Sequence, residues 1–198
     1  VHLRKGSFHI VKIEDGSTVQ NCDTGMVLQH GMGHALVVKG GSSFLKNRRG
    51  IFVERGYEHN ISFEDGSSLR NSRANGVRVR WGSWHRVFLS EHSWIENIVG
   101  TALWMEGGVG HEVTVTGGSW VRNCSRSSIV MATSNGTLRL EGATVRECRR
   151  SAVSVDPVPA VGFVAAADNS QTHVTLKDVY LVRNGAGFRC SQVRVRGE

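Results

Sequence analysis

Six of the nine histidines, His9, His34, His59, His85, His111 and His173, each stand 11 to 13 residues ahead of a second recurring position. That position is filled by Asn21, Asn47, Asn71, Asn97, Asn123 and Asn184, and one further copy carries Asn135 in the histidine slot and Glu147 in the asparagine slot. A period of 24 to 26 residues, broken once, marks a chain of stacked units that touch only their sequence neighbours. Seven copies account for nearly all of the 198 residues.

Within each copy the apolar residues alternate. Val11/Ile13, Ile61/Phe63, Val87/Leu89, Val113/Val115, Leu138/Leu140 and Val174/Leu176 repeat at period two, the period of a strand and not of a helix. A Gly or Asp-Gly turn follows, then a second short strand that begins with a small residue, as in Ser17/Val19, Ser43/Leu45, Ser67/Leu69, Ser93/Ile95 and Ser119/Val121. A third run comes after the asparagine, seen in "MVL" at 26–28, "IFV" at 51–53, "VRV" at 77–79 and "ALWM" at 102–105. Three strands per repeat predict a triangular coil.

On these features the chain resembles the right-handed parallel β-helix repeat superfamily, the pectin-lyase-like solenoids. The hydrophobic-x-x-Asn stretches Phe44–Asn47, Trp94–Asn97 and Trp120–Asn123 also resemble the FxxN repeats of polymorphic outer-membrane and adhesin proteins, whose companion GGA-aliphatic motif is absent here. The expected fold is all-β, a single-stranded parallel β-helix of about seven coils with one inserted loop at 157–172, which contains both prolines, Pro157 and Pro159. Residues 1–198 read as a single β-helix segment of a longer protein or a filament-forming unit, since both ends fall inside a coil and look uncapped. The resemblance implies an extracellular or cell-surface location.

Equivalent residues of successive coils lie roughly 4.8 Å apart, so every column of the repeat becomes a ladder along the axis. The column Asn21, Asn47, Asn71, Asn97, Asn123 and Asn184 is expected to be an internal ladder whose amides satisfy turn backbone. The histidine column, His9, His34, His59, His85, His111 and His173, supports two readings. One is structural; the other is an array of zinc, copper or nickel sites. No column of Cys, Asp or Glu runs beside it to complete four-coordinate sites, which favours the structural reading, and no cofactor is expected.

Placing Ser43, Leu45 and Asn47 inward turns Phe44, Trp94 and Trp120 outward, beside Lys46, Arg70, Arg122, Arg146 and Arg183. An aromatic file next to a basic file suits sugar rings and acidic groups, and the net charge of +7 points to a polyanionic partner. The expected function is a non-catalytic structural or adhesive segment whose flank binds acidic glycan or a partner protein, with head-to-tail self-association a further expectation. The alternative is a polysaccharide lyase or hydrolase-like enzyme, since the superfamily contains such enzymes. The carboxylates do not cluster and match no catalytic motif of the family, so no catalytic residue is assigned. Nothing resembles a nucleic-acid module, and no apolar run is long enough to span a bilayer. Cys124 and Cys148 follow the ladder position in consecutive coils, close enough for a candidate disulfide. Of the sequons at Asn60, Asn123 and Asn135, the second is expected to be inside.

Overall fold

Three parallel sheets, of eight, eight and seven strands, run the length of the protein in the computed structural model, which describes residues 1–155, 172–190 and 193–197. Each strand pairs with its equivalent in the coils before and after, never with its chain neighbour. Sheet A contains Thr24–Gln29, Arg49–Glu54, Val77–Arg80 and Leu103–Val109; sheet B contains Ala35–Val38, Asn60–Phe63, Arg86–Leu89 and Glu112–Val115; sheet C contains Ser43–Leu45, Ser68–Arg70, Trp94–Ile98 and Trp120–Cys124. The molecule is therefore an all-β parallel β-helix with three strands per coil. Of the inserted loop at 157–172, all but Thr172 lies outside the described residues.

The interior is a set of aliphatic files. Leu36, Ile61, Val87, Val113 and Leu138 stack in register on sheet B, and Met26, Ile51, Val77, Leu103 and Ile129 on sheet A, all essentially without solvent contact. Each such side chain contributes about 1.5–3 kcal/mol of burial, and parallel stacking leaves no face of the file wet.

The register corrects the expected alignment in two places. Phe44 pairs with Val19 and Leu69, and it is 1% exposed, so it belongs to the core and not to the outer flank. Two adjacent serines make this coil ambiguous by sequence. Ser42, not Ser43, occupies the buried turn slot shared with Ser67, Ser93 and Ser119. A slip of one residue exchanges the faces of a strand, and burying an aromatic ring decides which register wins. Likewise Leu181 pairs with Val145 and packs against the core, while Tyr180 faces out.

These shifts split the asparagine column. Asn21, Asn71, Asn97 and Asn123 adopt left-handed backbone at φ of 58°, 58°, 55° and 52°, a conformation that Asn tolerates better than most residues. In the coils with the shift, Lys46 and Arg183 take that position and the asparagine falls one step later. There Asn47 is fully buried: its Nδ2 donates to the Val19 carbonyl at 3.0 Å and its Oδ1 accepts the Cys22 amide at 2.9 Å. Asn184 repeats this with Val145 and Cys148, both at 3.0 Å. Asn71, Asn97 and Asn123 instead form an amide ladder on the surface, with bonds of 3.0 and 2.6 Å, so the expected internal position of Asn123 is corrected.

The histidine column is shorter than the sequence suggested. His173 pairs with Thr137 and is exposed, one residue beyond the slot, which Gly136 and the buried Thr172 occupy. Asn135 is exposed as well. A Cβ at Gly136 would meet the Thr133 methyl at 2.6 Å, leaving no room for an imidazole above His111.

Candidate functional site

His9, His34, His59, His85 and His111 stack as near-parallel rings with centroids 4.9 to 5.1 Å apart. The backbone amides of His9, His34, His59 and His85 each donate to Nδ1 of the ring in the next coil, at 3.3, 3.2, 3.1 and 3.2 Å along the file. An Nδ1 that accepts from an amide leaves the proton on Nε2. Nε2 of His59 donates to the His30 carbonyl and that of His111 to the Gly107 carbonyl, both at 3.0 Å. His34 and His85 make only loose contacts of this kind, to the backbone of Lys5 and Trp81, short of a well-formed bond. Burial, and then the neighbouring rings, hold the file neutral: His59 is lowered to about 4, His85 to about 3, and His34 below its ordinary value. His111 is lowered to about 4 by burial. The Nδ1 lone pairs of His34, His59, His85 and His111 thus belong to the fold. This donor set does not suit a metal without breaking the ladder.

The glycine three residues before each of these histidines is part of the same device. A Cβ at Gly6, Gly31, Gly56, Gly82 or Gly108 would strike Nε2 of His9, His34, His59, His85 or His111. Outside this bare backbone runs an open trough of about 1090 Å³, walled by His30, Arg55, Trp81, Tyr57 and Val109. Glycines also seat the aromatic rings of the coil below. A Cβ at Gly33 would meet the Phe8 ring at 2.5 Å, and one at Gly110 the Trp84 ring at 2.5 Å. Sequence reasoning missed this corner, although the repeated Gly-x-x-His was its signal.

On sheet C, Trp94 and Trp120 stand in register with ring centroids 5.5 Å apart and planes 11° from parallel. The Arg122 guanidinium lies 4.3 Å from the Trp120 ring and donates to Glu96 at 2.9 and 2.7 Å. The structure therefore joins Trp94, Trp120 and Arg122, but each has a partner within the protein. Arg70 and Arg146 share the file with Glu96 and Arg122. Lys46 and Arg183 sit at the turn position, and Leu45 and Val182 take their expected places on the sheet.

Lys46, Arg70, Arg146 and Arg183 have no carboxylate in ion-pair contact among the described residues, and a second group of such cations lies at the corner where sheet C passes into sheet A. The short turn after the left-handed residue brings Arg48, Arg73, Arg126, Arg149 and Arg150 to the surface of four coils, with the Arg73 and Arg126 turns separated by one coil that carries Val99 and Gly100 instead. Arg48 and Arg49 are tied to Asp23, which holds that carboxyl far below the usual carboxylate range. Arg73, Arg126, Arg149 and Arg150 have no carboxylate in ion-pair contact among the described residues. Arg126, Arg149 and Arg150 line a pocket of about 540 Å³ together with Trp104, Thr101, Ser127 and Ser151. These arginines went unnoticed in the sequence because they lie in turns, outside the alternation that marks the strands.

Cys124 and Cys148 are buried, free thiols, in place of the expected bridge. Their Sγ atoms lie 3.7 and 3.5 Å from the carbonyls of Arg122 and Arg146, two residues back in the chain. The thiol contact with Cys148, and then burial, push the Cys124 thiol up. Comparison with family models, curated proteins and solved structures returned no match.

Proposed function

We propose that this chain is a non-catalytic adhesive segment of a surface or extracellular protein that holds an acidic polysaccharide along the corner between sheets C and A. The observation that carries this reading is the group of exposed arginines Arg73, Arg126, Arg149 and Arg150, which have no carboxylate partner among the described residues. Stacked coils rise roughly 4.8 Å each, so from Arg73 to Arg150 the corner extends roughly 15 Å along the axis, with one coil at Val99 that carries no arginine. A linear polymer with regularly spaced acidic groups matches that geometry and the excess positive charge.

Five acidic side chains are committed to ion pairs, which argues against a catalytic role for those five. Glu96, Glu106, Glu112 and Glu141 are each held by an arginine, and Glu14 by Lys39. A glycosidase requires two carboxyls free to exchange protons across a sugar. Retention on immobilised heparin measures the reading: Arg73→Gln with Arg126→Gln should elute at clearly lower salt than the unsubstituted chain. Unchanged retention would remove the corner from consideration. Release of unsaturated or reducing ends from pectate or alginate by the purified chain would establish the lyase or hydrolase alternative instead.

A further inference from the structure

We infer that the pocket at this corner is a seat for one anionic pyranose, a uronate or a sulfated sugar, within the polymer proposed above. The inference rests on that reading and narrows it to a place and a chemistry.

One wall of the pocket is Trp104. The Arg78 guanidinium lies 4.4 Å from its ring centroid and is itself tied to Glu106, so the indole is braced from the coil below. A braced aromatic plate offers the apolar face of a pyranose a stacking surface at little cost in side-chain freedom. Arg126, Arg149 and Arg150 line the same pocket, and their planar guanidinium forks take carboxylate or sulfate oxygens two at a time. Ser127 and Ser151, both nearly buried, also line the pocket, with hydroxyls that can donate and accept. They match the hydroxyls of a sugar ring. The pocket volume of about 540 Å³ is in the range that holds a small ligand, roughly 300–1,000 Å³. Trp94 and Trp120 on sheet C offer no equivalent, since their rings face each other and their arginine is neutralised.

The test is calorimetric titration of the whole chain with a sulfated heparin hexasaccharide, an oligogalacturonate of equal length, inorganic sulfate and a single-stranded oligonucleotide. At least one saccharide should bind, and the one that does identifies the acidic substituent. Arg126→Gln with Arg149→Gln should weaken it about tenfold or more, as should Trp104→Ala, while the same loss of two charges outside the pocket, Lys46→Gln with Arg73→Gln, should cost less than about threefold. Both pocket arginines are exposed, so their double variant is expected to keep the native thermal midpoint and remains informative if Trp104→Ala does not fold. Equal losses from the two double variants would mean a diffuse charged surface, overturning the seat and leaving the proposed function standing. Inorganic sulfate bound as tightly as the saccharide would overturn the role of the ring and of Trp104. An oligonucleotide bound equally well, with the same losses, would overturn the sugar class. Failure of the unsubstituted chain to bind either saccharide would overturn the proposed function itself.

Discussion

The backbone amide of His59 donates to Nδ1 of His85, 3.1 Å away in the next coil, while the two imidazoles stack at 4.9 Å. A protonated His85 would present an N–H to that amide instead of a lone pair, and it would place a cation against its neighbours. Charge in the file is opposed by burial, by stacking and by this bond together.

Stability should consequently depend on acid. The folded values for His59, His85 and His111, about 4, 3 and 4, lie below the ordinary value of 6.5, so the unfolded chain binds more protons between those limits. The ladder's contribution is complete above pH 6.5 and is lost as pH falls from there toward the folded values. Each of the three histidines then forfeits about 2 kcal/mol between pH 7 and pH 5. Urea unfolding midpoints at the two pH values measure this; equal midpoints would mean the rings are not held neutral.

Gly82→Ala should be costly. Its φ is +89° and the added Cβ would strike both the Gly56 carbonyl and Nε2 of His85. Gly66, at φ +64° with nothing within 4 Å of a built Cβ, isolates the backbone term alone. The expected losses are about 1 kcal/mol for Gly66→Ala and at least about 3 kcal/mol for Gly82→Ala. Comparable thermal midpoints for the two variants would contradict the packing of glycine against imidazole.

Phe44→Ala and Trp120→Ala separate the two registers of the second coil. With Phe44 in the core, its truncation should cost about 3–5 kcal/mol, and that of the half-exposed Trp120 about 1 kcal/mol. Chemical denaturation of both variants reads the difference. The reverse order would restore Phe44 to the outer face.

Asn47→Ala should lose about 2–4 kcal/mol, because it strands the Val19 carbonyl and the Cys22 amide. Asn97→Ala, which breaks only surface amide bonds, should lose less than about 1 kcal/mol. Hydrogen exchange at the Cys22 amide supplies a second reading, and it should accelerate in the first variant alone.

The strands and their order were legible because Val, Ile and Leu alternate without interruption over every coil. Register was less so. Ser42-Ser43 allows two alignments that differ only in which of Phe44 and Leu45 is buried, and periodicity has no term for ring volume. His173 was misplaced for a related reason, since counting from Asn184 ignores the one-residue shift that carries it inward and leaves Arg183 at the turn. Asn135 was misplaced because its coil has one residue fewer between the slot at Gly136 and the turn at Glu147. The arginine corner escaped notice because Arg73, Arg126 and Arg149 come together only when turns are superposed, and a turn has no alternation to read. Of the expected flank, Trp94, Trp120 and Arg122 do meet, but their mutual satisfaction depends on distances that no spacing reveals.

Between His9 and His111 every coil presents the same donor above and the same acceptor below, so the column has a direction but no intrinsic length. Gain or loss of one whole repeat inside that stretch would preserve every ring-to-amide bond. Gain or loss of a single amino acid would strand one. Past Gly136, where the rings stop, this rule no longer applies, and an added coil there would be joined by strand pairing without a ring-to-amide bond.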